Sequence, residues 1–308
     1  MPKNFLAYAT RQTFFIVIDC MAMTSLIPPL LTAQSAPSLR IGLVTRANTL
    51  APAASGARGA RLGAAEAKET AALFGGDVLL FEEAAAGSAE RAAKNLLANR
   101  KVQILIGSAA QDVEVLSRLA ESHRVIFFNI ASRDPALRSA CRRYTFHIEA
   151  DDSMYADAAK RVSAMPSAAV LWAPTLQRYG ASQINDRYRA KYGAPMDGAA
   201  WAGWVAVKIA SEAALRARSA NAAAILAYLE TPSTNFDGHK GWPLSFRAAD
   251  HQLRQPLYVV AAQTSGARGL RDVPELSAIA GGASAVSNPN QALDALMPRS
   301  RARCAWRR

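Results

Sequence analysis

The chain has 308 residues, of which 51% are hydrophobic and 19% charged. That excludes wholesale disorder and allows one large packed lobe or two modest ones. The formal charge of +12 raises the question of anionic partners, but five arginines and no acid stand in the last ten residues, RSRARCAWRR. The remainder alternates in sign along its predicted helices. It shows no zinc-finger, helix-turn-helix or aromatic-interleaved basic pattern, so no nucleic-acid partner is expected. The arginine tail reads either as a solvated, frayed end or as a contact with an anionic surface.

Lys3 and Arg11 precede a mostly apolar stretch from Phe14 to Leu31, and TAQSAP follows. This is the order of a secretory signal, with Ala33 and Ser35 at −3 and −1, so residues 1–35 are expected to be a signal peptide and the mature chain periplasmic. Asp19 and Pro28-Pro29 interrupt the apolar core, which keeps an uncleaved anchor or a mis-chosen start codon as alternatives. Cys20 follows Asp19, where a lipidation signal needs a small residue. Cys141 and Cys304 then remain, either paired in an oxidising compartment or as two free thiols.

From Leu39 onward the hydrophobic period switches between strand and helix. LRIGLVT reads as a buried strand, followed by a loop rich in Pro, Ala and Ser. In GARGARLGAAEAKETAALF, the residues Ala60, Ala64, Ala67, Ala71 and Phe74 share one helical face, and Gly75-Gly76 ends the helix. DVLLFEE is a second strand, residues 88–99 a helix, VQILIG a third strand and residues 111–123 a helix. VIFFNI and YTFHIE complete five strands. Strands alternating with helices of this length imply right-handed crossovers and a parallel sheet covered on both faces. The fold class is therefore α/β, a flavodoxin-like doubly wound sheet.

The second half has helices expected at 154–162, 177–192 and 221–229. The nearly all-apolar run 199–210 is too short to span a bilayer and reads as a buried core helix. SAAVLW, LSF and QPLYVVAAQ are short strands. No internal repeat occurs.

The four histidines, His123, His147, His239 and His251, have no ligand spacing and no neighbouring cysteine, so no metal site is expected. There is no G-x-S-x-G, no Walker loop and no H-E-x-x-H, so neither catalytic residues nor a cofactor are expected. GARGARLG lacks a G-x-G start after a strand, and its arginines fall on a helix face. Binding chemistry instead gathers at the carboxyl ends of the strands, where doubly wound sheets take their ligands. The third strand runs into Ser108, Ala109, Ala110 and Gln111, where free backbone N–H groups and a hydroxyl suit a carboxylate or other acceptor-rich ligand. The fourth runs into Ser132 and Arg133, with Arg133 offering charge and planar donors. Both turns also read as plain helix caps.

The segments LRIGLVT, GARGARLGAAEA, ILIGSAAQDVEVLSRLAESHRVIFFNIASRDPALR and FHIEADDSMYADAA resemble the type 1 periplasmic receptors of transporters for branched-chain amino acids and amides. CRRYTFHIEADDSMYADA and FDGHKGWPLSFRAADHQLRQPLYVV are similar to a subgroup that accompanies quinone-dependent alcohol dehydrogenase systems. The resemblance covers about residues 39–262. It implies two flavodoxin-like lobes joined by crossover strands, a small polar ligand between them, no enzymatic activity, and delivery to a membrane transporter permease. It carries ligand contact onto Ser108, Ala109, Gln111, Ser132 and Arg133.

One departure shapes the expectation. Where the family builds a full second lobe, Arg161 here is followed within a few residues by SAMPSAAVLWAPTLQRYG, which resembles the segment returning to the first lobe. Residues 36–150 and 173–245 are thus expected to form the first lobe, 151–172 and 246–265 a remnant of the second with its crossover, and 266–308 an irregular basic tail. A single lobe leaves the ligand half solvated and the former interlobe face open to self-association. Loss of ligand binding, with a protein-interaction role in its place, is the alternative.

Overall fold

Strands rich in β-branched and aromatic residues on both faces need cover on both faces. The computed structural model, which describes residues 37–46, 51–162, 167–261, 294 and 304, meets that need. Strands β1 (Ser38–Thr45), β2 (Asp77–Ala84), β3 (Ile104–Gly107), β4 (Ile126–Asn129) and β5 (Thr145–His147) form a parallel sheet in the order β2-β1-β3-β4-β5. That is the flavodoxin-like order, with its switch point between β1 and β3. Ile104, Ile106, Ile126 and Phe128 face one apolar core, while Leu105 and Phe127 face a second on the opposite side.

Helices α2 (Ala89–Asn95) and α3 (Val113–His123) supply that second core. Ser88 starts α2 by accepting from the Arg91 N–H at 3.2 Å. The helix expected at 88–99 continues beyond Asn95 as a π-helical turn through Arg100, and Lys101 ends it in the left-handed region at φ 52°. Val113, Leu116 and Ala120 are all buried, as their spacing predicts.

The first core lies under α1 (Ala51–Ala72) and α7 (Gly198–Arg216). Helix α1 begins at Ala51, ahead of the start expected at Gly56, because Pro52 is compatible with a first turn and the alanines that follow favour helix. Ala60, Ala64, Ala67 and Ala71 are buried as expected, whereas Phe74 is 63% exposed. The helix stops at Ala72 and Gly75 turns the chain at φ 73°, so Phe74 no longer follows the helical period. The glycines of GARGARLG serve helix packing. A Cβ on Gly59 would lie 1.8 Å from the Ala200 carbonyl oxygen, and one on Gly203 2.1 Å from that of Gly56. Two backbones meet there in direct contact. Helix α7 is the expected buried helix, with Trp201, Val205 and Ile209 fully covered. Among the described residues no helix is long and apolar enough to cross a membrane.

Helix α4 (Ala136–Ser139) follows β4, and α5 (Asp152–Val162) follows β5. Asp151 caps α5 by accepting from the Met154 N–H at 2.9 Å. Helix α5 packs on a separate two-stranded antiparallel sheet of β6 (Ser167–Val170) and β10 (Tyr258–Ala261). Helices α6 (Ala181–Tyr192) and α8 (Ala222–Leu229) flank α7 in sequence. A small antiparallel sheet of β7 (Phe236–Asp237), β8 (Pro243–Phe246) and β9 (Leu253–Arg254) then abuts β5 through a parallel bridge from His147 to Gln252. At that junction His251 stacks on Phe146 at 4.3 Å, and Phe246 meets the same ring edge-on at 4.8 Å.

Cys141 and Cys304 form a disulfide, with their Cα atoms 5.3 Å apart. The Cys304 N–H also donates to the Ala249 carbonyl at 3.0 Å. The signal peptide expected at 1–35 lies outside the described residues, as does the tail expected at 266–308 apart from Asp294 and Cys304.

Candidate functional site

A crevice of about 800 Å³ opens at the carboxyl ends of β1, β3, β4 and β5, at the switch point of the sheet. Arg46 enters it from the end of β1, Ser108 to Gln111 from β3, Ile130 to Arg133 from β4 and Glu149 from β5. The first turn of α1 and the start of α7 close one side, and Val170, Leu171 and Trp172 form a wall facing the sheet.

The β3 turn is built tightly. Ser108 is 4% exposed, and both its N–H and its hydroxyl turn back to the Val44 carbonyl, at 3.2 and 3.3 Å. The expected free donor at Ser108 is therefore committed to the sheet. Ala109 is extended, and Ala110 and Gln111 open a 3-10 turn that leads into α3, so the donors on offer belong to the start of that turn. Asp112 carries a two-pronged ion pair with Arg46, whose guanidinium pKa that hydrogen bond raises.

The β4 turn is organised by Asn129. Its Oδ1 accepts from the N–H groups of Ala131 and Ser132, at 3.2 and 2.9 Å, and its Nδ2 donates to the Ser132 carbonyl at 2.8 Å. The same Nδ2 lies 3.1 Å from His147 Nδ1, which must then accept, leaving the His147 proton on Nε2. Burial, followed by the positive charge of Arg138, holds the His147 pKa well below its ordinary value, so the ring is neutral. Ser132 accepts from the Asp134 N–H through its hydroxyl and stands behind the lining rather than on it. Arg133 does reach the crevice. Its guanidinium lies over the Tyr155 ring at 4.1 Å and its Nε is 3.7 Å from Glu149.

Glu149 is the feature that sequence reasoning did not single out. It is 5% exposed, yet it lines the crevice. Its Oε1 accepts from the Tyr155 hydroxyl and from the Ala150 N–H. Burial raises its pKa above the usual carboxylate range, offset in part by Tyr155, Arg133 and Arg138. The available signal was an acid closing an apolar strand, FHIE. Behind the lining, Arg138 is 2% exposed and ties the β4 turn to the end of β5. It donates to the carbonyls of Asp134 and Glu149, at 2.9 and 2.6 Å, and to the Gln252 side chain. Trp172 and Asp197 were also missed, since they arrive from distant parts of the chain. Trp172 stacks on Trp201 at 5.8 Å and donates to Asn185 at 2.9 Å. Asp197 caps α7 through the Ala200 N–H.

The crevice thus sets an exposed guanidinium beside a buried carboxylate, with backbone donors and an indole nearby. Chemically, such a set suits a small molecule carrying both an acceptor and a donor. Among the described residues no cluster of His, Cys, Asp and Glu is arranged to hold a metal ion.

A family model described as periplasmic binding protein matches residues 159–267. No curated protein matches the chain in sequence. Solved structures match its fold. A branched-chain amino acid ABC transporter periplasmic ligand-binding protein from Burkholderia xenovorans superposes with a TM-score of 0.68 at 13% identity, over 87% of this chain and 99% of that one. LivJ from Streptococcus pneumoniae, in complex with isoleucine, gives 0.61 at 14% identity, over 73% and 96%. A solute-binding protein from Rhodopseudomonas palustris, in complex with 3,4-dihydroxybenzoic acid, gives 0.61 at 11% identity, over 74% and 94%. The chain has the fold of the type 1 periplasmic binding proteins.

Proposed function

We propose that this protein is a non-enzymatic, exported receptor that binds a small polar organic solute in the periplasm and delivers it to an ABC transporter permease. The observation that carries this reading is the crevice at the sheet's switch point, where Arg133 and Glu149 stand side by side above the two strand-end turns. Arg133 would hold an anionic or carbonyl group of the solute, assisted by the N–H groups of Ala110 and Gln111. Glu149 would accept from a hydroxyl or ammonium of the same solute. Ser108, Ala109 and Ser132 would act by shaping the turns. The fold and the partial family match support the transport role.

On this reading the second lobe is reduced to α5 and the β6–β10 pair. These are the described elements on the far side of the crevice wall. A solute held mainly by one lobe keeps part of its hydration, and affinity then rests on the charged pair. The face left uncovered would favour self-association.

Native mass spectrometry of protein purified from the periplasm tests the reading. A retained small molecule is expected on the wild-type chain and absent from Arg133→Ala and Glu149→Ala. Only the ligand-free mass of its own sequence for each of the three, even after candidate solutes are supplied, would sink it.

A further inference from the structure

The chain passes between the five-stranded layer and the α5, β6 and β10 unit three times: after β5, after β6, and between β9 and β10. The second passage carries Leu171 and Trp172, the wall of the crevice. We propose that Lys240 is a positioning residue that pins these three passages into one rigid joint and so fixes that wall.

Lys240 lies in the turn between β7 and β8, where a lysine would ordinarily reach solvent, yet it is 0% exposed. The turn is shaped to drive it inward. His239 and Gly241 on either side both take the left-handed region, at φ of 57° and 77°. A Cβ on Gly241 would lie 2.6 Å from the Tyr179 ring. The Lys240 Nζ donates to the Leu171 carbonyl at 2.7 Å, the Gln255 side chain at 2.8 Å and the Pro256 carbonyl at 3.0 Å. Three acceptors require three protons, which identifies the group as an ammonium. It also lies 3.9 Å from the centre of the Trp201 ring and 5.4 Å from that of Tyr258, and both ring faces favour a cation.

Those contacts reach all three passages. Leu171 belongs to the second, and Gln255 and Pro256 belong to the third. Gln255 then donates to the Ile148 carbonyl of the first at 2.6 Å. One buried cation and one amide therefore join the chain at residues 148, 171, 255 and 256. Trp201, beneath the ammonium, stacks on Trp172, so the same pin supports the indole facing the crevice.

Amide hydrogen exchange on the purified full-length chain tests this, comparing wild type with Lys240→Met and Gln255→Leu. Global stability is first matched by adjusting urea. In Lys240→Met, peptides covering 147–151, 169–173 and 254–258 should exchange about tenfold faster, the equivalent of one lost hydrogen bond, while those covering 38–45 and 104–107 stay unchanged. Gln255→Leu should loosen 147–151 in particular, and it carries the test if Lys240→Met does not fold. Crossing segments that exchange in step with β1 and β3 in both variants would overturn the proposal. The experiment needs no ligand, so either result leaves the solute-binding reading to be judged separately.

Discussion

Glu149 sits where water solvates a carboxylate poorly, and its environment only partly makes up the loss. Because its folded pKa lies above that of the unfolded chain, the unfolded state sheds this proton first as pH rises. Wild type therefore loses stability through that window. Glu149→Gln keeps an acceptor for Tyr155 and Ala150 without the charge. Its melting temperature relative to wild type should climb between pH 4 and 7; a constant offset would show that the carboxyl is not perturbed. Glu230 behaves oppositely. Burial opposes its charge, but the two-pronged hydrogen bond from Arg143, with the His251 ring 3.5 Å away, prevails and holds its pKa at about 2 against an ordinary 4.5. Its contribution is present above the ordinary value and is lost as pH falls towards 2. Glu230→Gln should lower the melting temperature at pH 7, with the gap closing on acidification, as followed by circular dichroism.

The contact between α1 and α7 shows how sequence and packing divide the work at the level of elements. The alanine face of α1 and the apolar run of α7 are legible as periodicity. That Gly59 meets Ala200 backbone to backbone is not, because the partner lies 141 positions away. Gly59→Ala should cost about 1–3 kcal/mol or more in urea unfolding, since the helices must separate to admit the methyl group. The control Gly75→Ala meets no atoms within 4 Å. It carries only the strain of a positive φ, about 1–2 kcal/mol. Five parallel strands were readable to within about two residues because each is a short apolar run punctuated by turns. The start of α1 was not, because Pro, Ala and Ser suit a loop as well as a first helical turn. The two-residue strands β7 and β9 are set by bridges to neighbours and leave no period of their own. At the site, the turns after β3 and β4 were legible because doubly wound sheets bind there. Trp172, Asp197, Lys240 and Gln255 converge only through tertiary structure.

For the molecule as a whole, the bond between Cys141 and Cys304 closes a loop spanning 163 positions and tethers the C-terminal region beside the Arg138 network. Arg254 holds Asp294 at 2.7 Å, a second anchor for the same region. Cys304→Ser should lower stability by about 2–5 kcal/mol, and reductant should then have no further effect on that variant. Reductant that lowers the melting temperature of the variant as much as that of wild type would argue against the bond. Whether the crevice binds a small polar solute is decided by thermal unfolding against a panel of amino acids, amides, short carboxylates, alcohols and aldehydes. A solute at a hundred times its dissociation constant stabilises the native state by about 2.7 kcal/mol, a shift of a few degrees for a chain of this size. Such a shift is expected for one chemical class and is lost in Arg133→Ala and Glu149→Ala. A cooperative transition that no compound moves, or a shift that survives both substitutions, would contradict solute binding in the crevice.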